Sequence, residues 1–157
     1  MTTSSEKLLS QLHPLLQQKI RQMAEALEQE GIKIVVVQGL RTWEEQDALY
    51  QQGRTKPGNI VTNAPAGHSY HNYALACDCA PENPDGSVDW NAEHPQWKHM
   101  EEVGTSLGLV SGANWTRLVD APHFQITGAY PVSPNDELRR LYQGGGLPAV
   151  WEGLEKI

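Results

Sequence analysis

The sequence has few groups that would bind a polyanion and no stretch that would cross a membrane. Lysine and arginine number 12 against 19 aspartates and glutamates, which gives a net charge of -7. A basic face is what displaces the counterions of nucleic acid, so the composition excludes general nucleic-acid binding. No apolar run approaches the roughly 20 residues of a spanning helix, which predicts a protein without membrane insertion.

Cysteine is also scarce, and the first residues do not have the pattern of a secretory signal. The two cysteines, Cys77 and Cys79, are two positions apart. In an extended segment their side chains would lie parallel, which is an awkward geometry for a bond between them, so we expect no disulfide framework. The first residues lack a basic start, a continuous apolar block and a cleavage site. We therefore expect no secretory signal, synthesis in the cytoplasm and, if the protein is exported, another route.

A chain of 157 residues has the length of one domain. We expect a single monomeric domain over 1–157, with a motif-bearing core at about 30–130 and a helical tail at 131–157. Apolar spacing and capping signals predict helices, and short β-branched or alternating segments predict strands. The predicted helices cover 14–30, 43–52, 95–107 and 133–142, and the predicted strands cover 32–37, 74–80 and 123–126.

Two of these extended segments carry polar residues on one face. In 74–80, Asp78 falls on the face opposite to the two cysteines. In 123–126, His123 and Gln125 share a face, and the apolar residues lie on the other. Each segment is therefore predicted to be a strand with a functional side and a core side.

Two short patterns indicate metal chemistry: S-x-H-x-x-x-x-A-x-D and, further along the chain, D-x-x-H. They supply two nitrogen ligands, His71 and His123, and one oxygen ligand, Asp78. With a water, these ligands complete a four-coordinate catalytic Zn²⁺ site. Zinc lowers the pKa of its bound water, but a carboxylate must still take the proton and pass it on. Asp120 is the candidate general base.

These patterns resemble the zinc peptidases of bacteria and phages, a family that includes D-alanyl-D-alanine carboxypeptidases and dipeptidases and phage L-alanyl-D-glutamate endopeptidases. The family pattern is S-x-H-x-x-G-x-A-x-D followed by D/E-x-x-H. The resemblance runs from about Gly39 to Gln125 and implies an α+β fold of the hedgehog/D-Ala-D-Ala-peptidase type, a small antiparallel sheet flanked by helices. The stretches that carry it are 39–42 with Gln46, 69–73 and 120–125.

The resemblance also assigns roles. His71, Asp78 and His123 would bind zinc, and Asp120 would be the base. Arg41 would polarise the scissile carbonyl or hold a substrate carboxylate, and a guanidinium suits either task. The candidate substrate-binding residues are Ser69, Gln46 and Trp115.

The implied function is a zinc-dependent peptidoglycan endopeptidase that cuts the L-alanyl-D-glutamate bond. The likeness of 69–73 to phage lysins favours a bacteriolytic endolysin that reaches the wall once a holin opens the membrane. A D-Ala-D-Ala carboxypeptidase or dipeptidase is the enzymatic alternative. A non-catalytic zinc-stabilised binding domain is a third hypothesis, and the joint presence of Asp120 and Arg41 counts against it.

Some residues depart from this pattern or compete with it. Ala74 replaces the family glycine and adds a methyl group where the backbone can approach a neighbour, so we expect local adjustment and retained activity. His68 and His71 are an alternative ligand pair. The two cysteines flank Asp78 closely enough to suggest thiolate ligation, but alternation turns both away from its face.

Overall fold

The computed structural model describes residues 1–116 and 119–155, and these form an α+β fold with a small antiparallel sheet. The predicted fold class is confirmed. None of the described helices combines the length and apolar character that a membrane crossing requires. The helices are α1 (Thr3–Leu9), α2 (Pro14–Glu28), α3 (Trp43–Gln51), α4 (Pro95–Ser106) and α5 (Asp136–Glu155); the strands are β1 (Ile34–Gln38), β2 (Ala76–Pro81), β3 (Val110–Ser111) and β4 (His123–Gln125); and two 3₁₀ turns cover Tyr70–Tyr73 and Gly112–Asn114.

The chain divides into two compact units. The first unit comprises Met1–Gly39 and Ala76–Ile126, and it contains all four strands in the order β1-β2-β4-β3. The second comprises Leu40–Leu75 and Thr127–Ile157 and is helical in its described part. The expectation of a single domain stays a prediction, and residues 156–157 of the predicted tail lie outside the described residues.

The core of the first unit follows from apolar spacing in α2 and α4. Pro14 opens α2, and the predicted apolar face of that helix is fully buried. Helix α4 packs against α2, and Gly104 makes this approach possible. A side chain there would lie 2.5 Å from the Phe124 ring and 3.1 Å from the Met23 sulfur. Helix α2 also contacts β1, and α4 contacts β2 and β3. The buried residues of α2 are Leu16, Ile20, Met23 and Leu27.

The register of β2 against β4 positions the polar residues that the sequence singled out. Asp78 pairs with His123, and Cys77 pairs with Phe124. Cys77 and Cys79 are free thiols with no solvent exposure, and their Sγ atoms lie 3.8 Å apart. Alternation along β2 therefore places both thiols in the core and leaves Asp78 on the other face.

The second unit contains a capped helix followed by a long connection. The Thr42 hydroxyl accepts from the Glu45 amide, and the Glu45 carboxylate accepts from the Thr42 amide, both at 3.0 Å. This is the predicted capping box at the start of α3. Residues 70–73, which lie just before the predicted strand 74–80, form a 3₁₀ turn that ends at Ala74 in the left-handed region, with φ 57°. Strand β2 begins two residues later than predicted for this reason.

Helix α5 begins at Asp136, where the Asn135 side chain accepts from the Leu138 amide. The cap is therefore Asn135, and the predicted start of this helix at 133 is wrong. The helical run bends at Gly146, whose φ of 68° and ψ of -159° are not helical. The bend thus falls at the last of three consecutive glycines, 144–146.

Candidate metal centre

Two carboxylates converge on one imidazole nitrogen in the first unit. Asp78 Oδ1 lies 3.5 Å from His123 Nδ1, and Asp120 Oδ2 lies 3.8 Å from the same atom. The His123 side chain is 4% exposed and that of Asp120 is 41% exposed, so the cluster is closed on one side and reached by solvent on the other. Two carboxylates within 4 Å of the same nitrogen favour a cation at that place.

The neighbouring strand residue orients the imidazole. His123 Nε2 lies 2.7 Å from Gln125 Oε1, and Gln125 is 1% exposed. With the amide oxygen as acceptor, Nε2 carries the hydrogen, and in the neutral ring Nδ1 then presents its lone pair toward the carboxylates. Metal-binding histidines are commonly held in this way through the nitrogen that does not bind the metal.

The surroundings of His123 favour positive charge. Burial opposes protonation of the ring, but the hydrogen bond and charge of Asp78, helped by Gln125 and Asp120, raise the pKa of His123 above its ordinary value. The carboxylates of Asp78 and Asp120, which favour the imidazolium, would also attract a cation.

A tight turn places Asp120 beside His123. The Asp120 amide donates to the Gly112 carbonyl at 3.0 Å, and the His123 amide donates to the Asp120 carbonyl at 3.1 Å. A side chain on Gly112 would collide with the Asp120 carbonyl and lie 3.0 Å from His123 Cβ. The Trp115 ring lies against that of His123, with centroids 5.0 Å apart at 45°. Its predicted contact with substrate has not been tested.

His71 lies in the 3₁₀ turn of the second unit. The Ser69 hydroxyl accepts from the His71 amide at 3.2 Å, and the His71 carbonyl accepts from the Arg41 amide at 2.9 Å. Asn72 accepts through Oδ1 from the amides of Gly67 and Ser69. Both sides of the His71 backbone are therefore fixed. In this structure Ser69 caps the turn, and its predicted contact with substrate remains a prediction.

Arg41 is held by a buried glutamine. Its Nη1 donates to Gln46 Oε1 at 2.8 Å, while Gln46 Nε2 donates to the Ala64 carbonyl at 2.7 Å. Gln46 has no solvent exposure. These contacts orient the guanidinium, so they give Gln46 a positioning role, and its predicted substrate contact is untested.

The described residues include a His-Asp-His group that could hold a metal ion: His71, Asp78 and His123. These are the three ligands predicted from the sequence. Two imidazole nitrogens and one carboxylate oxygen match the donors of catalytic zinc sites that keep a position for water. Neither His68 nor the two cysteines belong to this group.

Sequence reasoning gave no role to Gln125 or Asn72. Gln125 was placed on the His123 face by alternation, and that placement was the available signal for a hydrogen bond between them. Asn72 follows Ser69 at the spacing of a capping box, and the structure shows both bonds of that box. The usual pattern has Glu or Gln at this position, so the asparagine hid the signal.

Comparison with known proteins finds relatives that are named as peptidases. Residues 9–125 match the VanY family, described as D-alanyl-D-alanine carboxypeptidase. The chain is 42% identical over 124 residues to the peptidoglycan L-alanyl-D-glutamate endopeptidase CwlK of Bacillus subtilis (strain 168), covering 74% of each chain.

Solved structures give the same picture. The L-Ala D-Glu endopeptidase ChiX of Serratia marcescens matches with a TM-score of 0.60 and 26% identity, over 81% of this chain and 89% of that one. The L,D-carboxypeptidase DacB of Streptococcus pneumonia matches with a TM-score of 0.54 and 20% identity, over 74% and 66%. The second likeness supports the fold alone.

Proposed function

Because the chain belongs to the VanY D-alanyl-D-alanine carboxypeptidase family, we propose that it is a zinc peptidase that hydrolyses the L-alanyl-D-glutamate bond of peptidoglycan. The observation that carries the chemistry is the convergence of Asp78 and Asp120 on His123 Nδ1. The bond is that in the name of the relative with 42% identity, CwlK, and in that of ChiX.

The residues present fit a zinc ion. His71, Asp78 and His123 would hold it, with Gln125 fixing the ring of the last ligand. When bound, zinc would act as a Lewis acid and lower the pKa of water in the site. The donor set, the oriented imidazole and the adjacent unligated carboxylate are the features expected of such a centre.

Asp120 is suited to move protons. Its carboxylate is the more exposed of the two beside His123, so it can meet both the attacking water and the substrate. In the proposed reaction Asp120 accepts a proton from water as the oxygen attacks the carbonyl carbon. It then gives that proton to the leaving amine, which becomes the new amino terminus. Arg41, held by Gln46, would stabilise the negative oxygen or bind a substrate carboxylate.

A carboxypeptidase activity is the second candidate, and the description of the matching family favours it. A carboxypeptidase needs a group that binds the free carboxylate of the terminal residue, and Arg41 suits that task by charge and bidentate geometry. The relatives with the higher identity carry endopeptidase names, and for this reason the endopeptidase is preferred.

An Asp120→Asn variant separates chemistry from metal binding. The amide keeps the size of the side chain but cannot accept the proton, so turnover of peptidoglycan should fall about 10²-fold to 10⁴-fold. Zinc content after dialysis should stay near one ion per chain. A His123→Ala control should lose both zinc and turnover.

Two outcomes would contradict this proposal. An Asp120→Asn enzyme with wild-type turnover would show that the base is another group. Wild-type protein that binds zinc and leaves peptidoglycan intact would favour the non-catalytic zinc-stabilised domain.

The biological setting stays a prediction. The named relatives come from bacteria, and their names do not mention phage lysis. Action as an endolysin released through a holin is therefore a hypothesis that follows from the sequence alone, as is the monomeric state. Expression of the chain with and without a holin, followed by culture turbidity, would test the first.

A further inference from the structure

The described C-terminal segment, residues 127–155, contains α5 and lies beyond the stretch that matches the family, which ends at 125. Within the second unit this segment contacts the 3₁₀ turn that carries His71. The Trp151 indole donates from Nε1 to the Tyr73 carbonyl at 2.8 Å. The Tyr70 phenol donates to the Pro131 carbonyl. Both ends of the turn are thus bonded to the C-terminal segment.

Aromatic packing adds to these hydrogen bonds. Tyr142 of α5 lies edge-on to Tyr73, with ring centroids 5.6 Å apart, and stacks on Trp43 with centroids 5.0 Å apart at 15°. The Tyr73 ring has no solvent exposure, and its hydroxyl donates to the Gly67 carbonyl at 2.6 Å. The buried Tyr73 ring, two residues after His71, therefore packs against a side chain of α5.

The turn needs outside support because of its own geometry. It is four residues long, and 3₁₀ geometry gives poorer hydrogen bonds than an α-helix. It ends at Ala74, whose φ of 57° is costly for a residue with a side chain. A short turn with a strained end holds one conformation only where surrounding contacts determine it.

We propose that the C-terminal segment is a positioning element for His71: Trp151 and Tyr142 fix the turn at Tyr73 and thereby set the affinity for zinc and the rate of hydrolysis. This inference rests on the proposed function, in which His71 is a metal ligand. Trp151 and Tyr142 act through the turn, so they are positioning residues and touch neither metal nor substrate.

Trp151→Phe is the direct test. Phenylalanine keeps much of the ring packing and removes the indole donor, so the turn loses its bond at Tyr73. Zinc affinity, measured by competition with a chromogenic chelator, should fall about 10-fold to 100-fold, the usual effect of losing an outer-shell partner. Tyr142→Leu removes the stacked ring without touching the Trp151 bond and should weaken affinity in the same direction.

A matched control lies in the same segment. Asn135 accepts from the Leu138 amide at 3.0 Å, so Asn135→Ala also removes one hydrogen bond of the segment, and that bond does not end on the turn. Its zinc affinity should equal that of wild type even where its melting temperature falls as far as that of Trp151→Phe. An Asn135→Ala loss of zinc affinity as large as that of Trp151→Phe would show a general stability effect and overturn the inference.

A His71→Ala variant distinguishes a failure of the positioning role from a failure of the proposed ligand set. Loss of zinc binding in His71→Ala, together with wild-type affinity in both Trp151→Phe and Tyr142→Leu, would overturn the positioning role and leave the proposed function standing. Wild-type zinc affinity in His71→Ala would instead contradict the proposed ligand set.

Discussion

At the scale of single residues, His123 shows how neighbours prepare a side chain for a metal. Asp78 and Asp120 lie on its Nδ1 side, and Gln125 accepts from Nε2. Each contact restricts the ring further, because the hydrogen bond fixes the tautomer while the carboxylates fix the direction in which a cation is favoured. We therefore expect zinc affinity to depend on Gln125, although this residue is not among the proposed ligands.

A Gln125→Leu variant removes the acceptor for Nε2 while keeping a buried side chain of similar size. Zinc affinity should fall about 10-fold to 100-fold in chelator competition. Gln125→Glu retains an acceptor and should bind zinc more tightly than the leucine variant. If Gln125→Leu bound zinc as tightly as wild type, the hydrogen bond between Gln125 and His123 would not be what orients the ring.

The backbone conformation of Ala74 decides which substitutions this position tolerates. Its φ of 57° and full burial leave no room for a branched side chain. Ala74→Val should cost more than about 2 kcal/mol, from overpacking and from a β-branched residue at positive φ. Ala74→Gly should change the free energy of unfolding by less than about 1 kcal/mol, since relief of strain offsets the lost methyl and the greater freedom of the unfolded chain. Urea denaturation measures both, and a valine variant as stable as wild type would contradict this reading.

At the scale of elements, the Gly112–Asn114 turn and the strand β4 place the proposed base, Asp120, beside the proposed ligand, His123. Gly112 accepts from the Asp120 amide, and the absence of a side chain at 112 allows the backbone of Asp120 to approach. The spacing D-x-x-H in the sequence is thus realised as a turn that leads directly into a strand.

Gly112→Ala should push Asp120 and His123 apart. A displacement of about 1 Å at a reacting group typically costs about 10²-fold in rate, so kcat/KM on peptidoglycan should fall by that order. Gly144→Ala is the matched control, since a side chain there meets nothing within 4 Å, and it should retain wild-type kcat/KM. Similar kcat/KM values in the two variants would show that the close contact between Gly112 and the Asp120 backbone is not needed for activity.

The elements also show what local sequence can predict. Apolar spacing located α2 and α4, the Thr42 capping box located α3, and alternation placed Asp78 opposite the thiols, because each of these signals acts over a few residues. The 3₁₀ turn at 70–73 was missed. Besides its local cap, the turn is held by contacts with Trp151 and Tyr142, which are remote in sequence. Helix α1 was missed because it is short and its apolar residues do not extend over several turns.

The same contrast holds for the candidate site. The ligands and base could be proposed from two short patterns and a family resemblance, because the chemistry dictates residue types. The supporting contacts of Gln46 and Gln125 depend on packing distances, which a sequence does not contain.

At the scale of the whole molecule, metal binding should be coupled to folding, because the unfolded chain lacks the assembled ligand set. Zinc at about 100 times its dissociation constant should add about 2.7 kcal/mol to the free energy of unfolding. Chelator should therefore lower the melting temperature of wild type, and His123→Ala should show no such shift. A wild-type melting temperature that ignores both zinc and chelator would contradict a metal centre built from these residues.

The measurement that tests the central claim most directly is digestion of purified peptidoglycan, with mass analysis of the new termini. We predict new amino-terminal D-glutamate, its disappearance when zinc is chelated and its return when zinc is restored. Release of free D-alanine without new amino-terminal D-glutamate would contradict the L-alanyl-D-glutamate endopeptidase and assign the chain a carboxypeptidase activity.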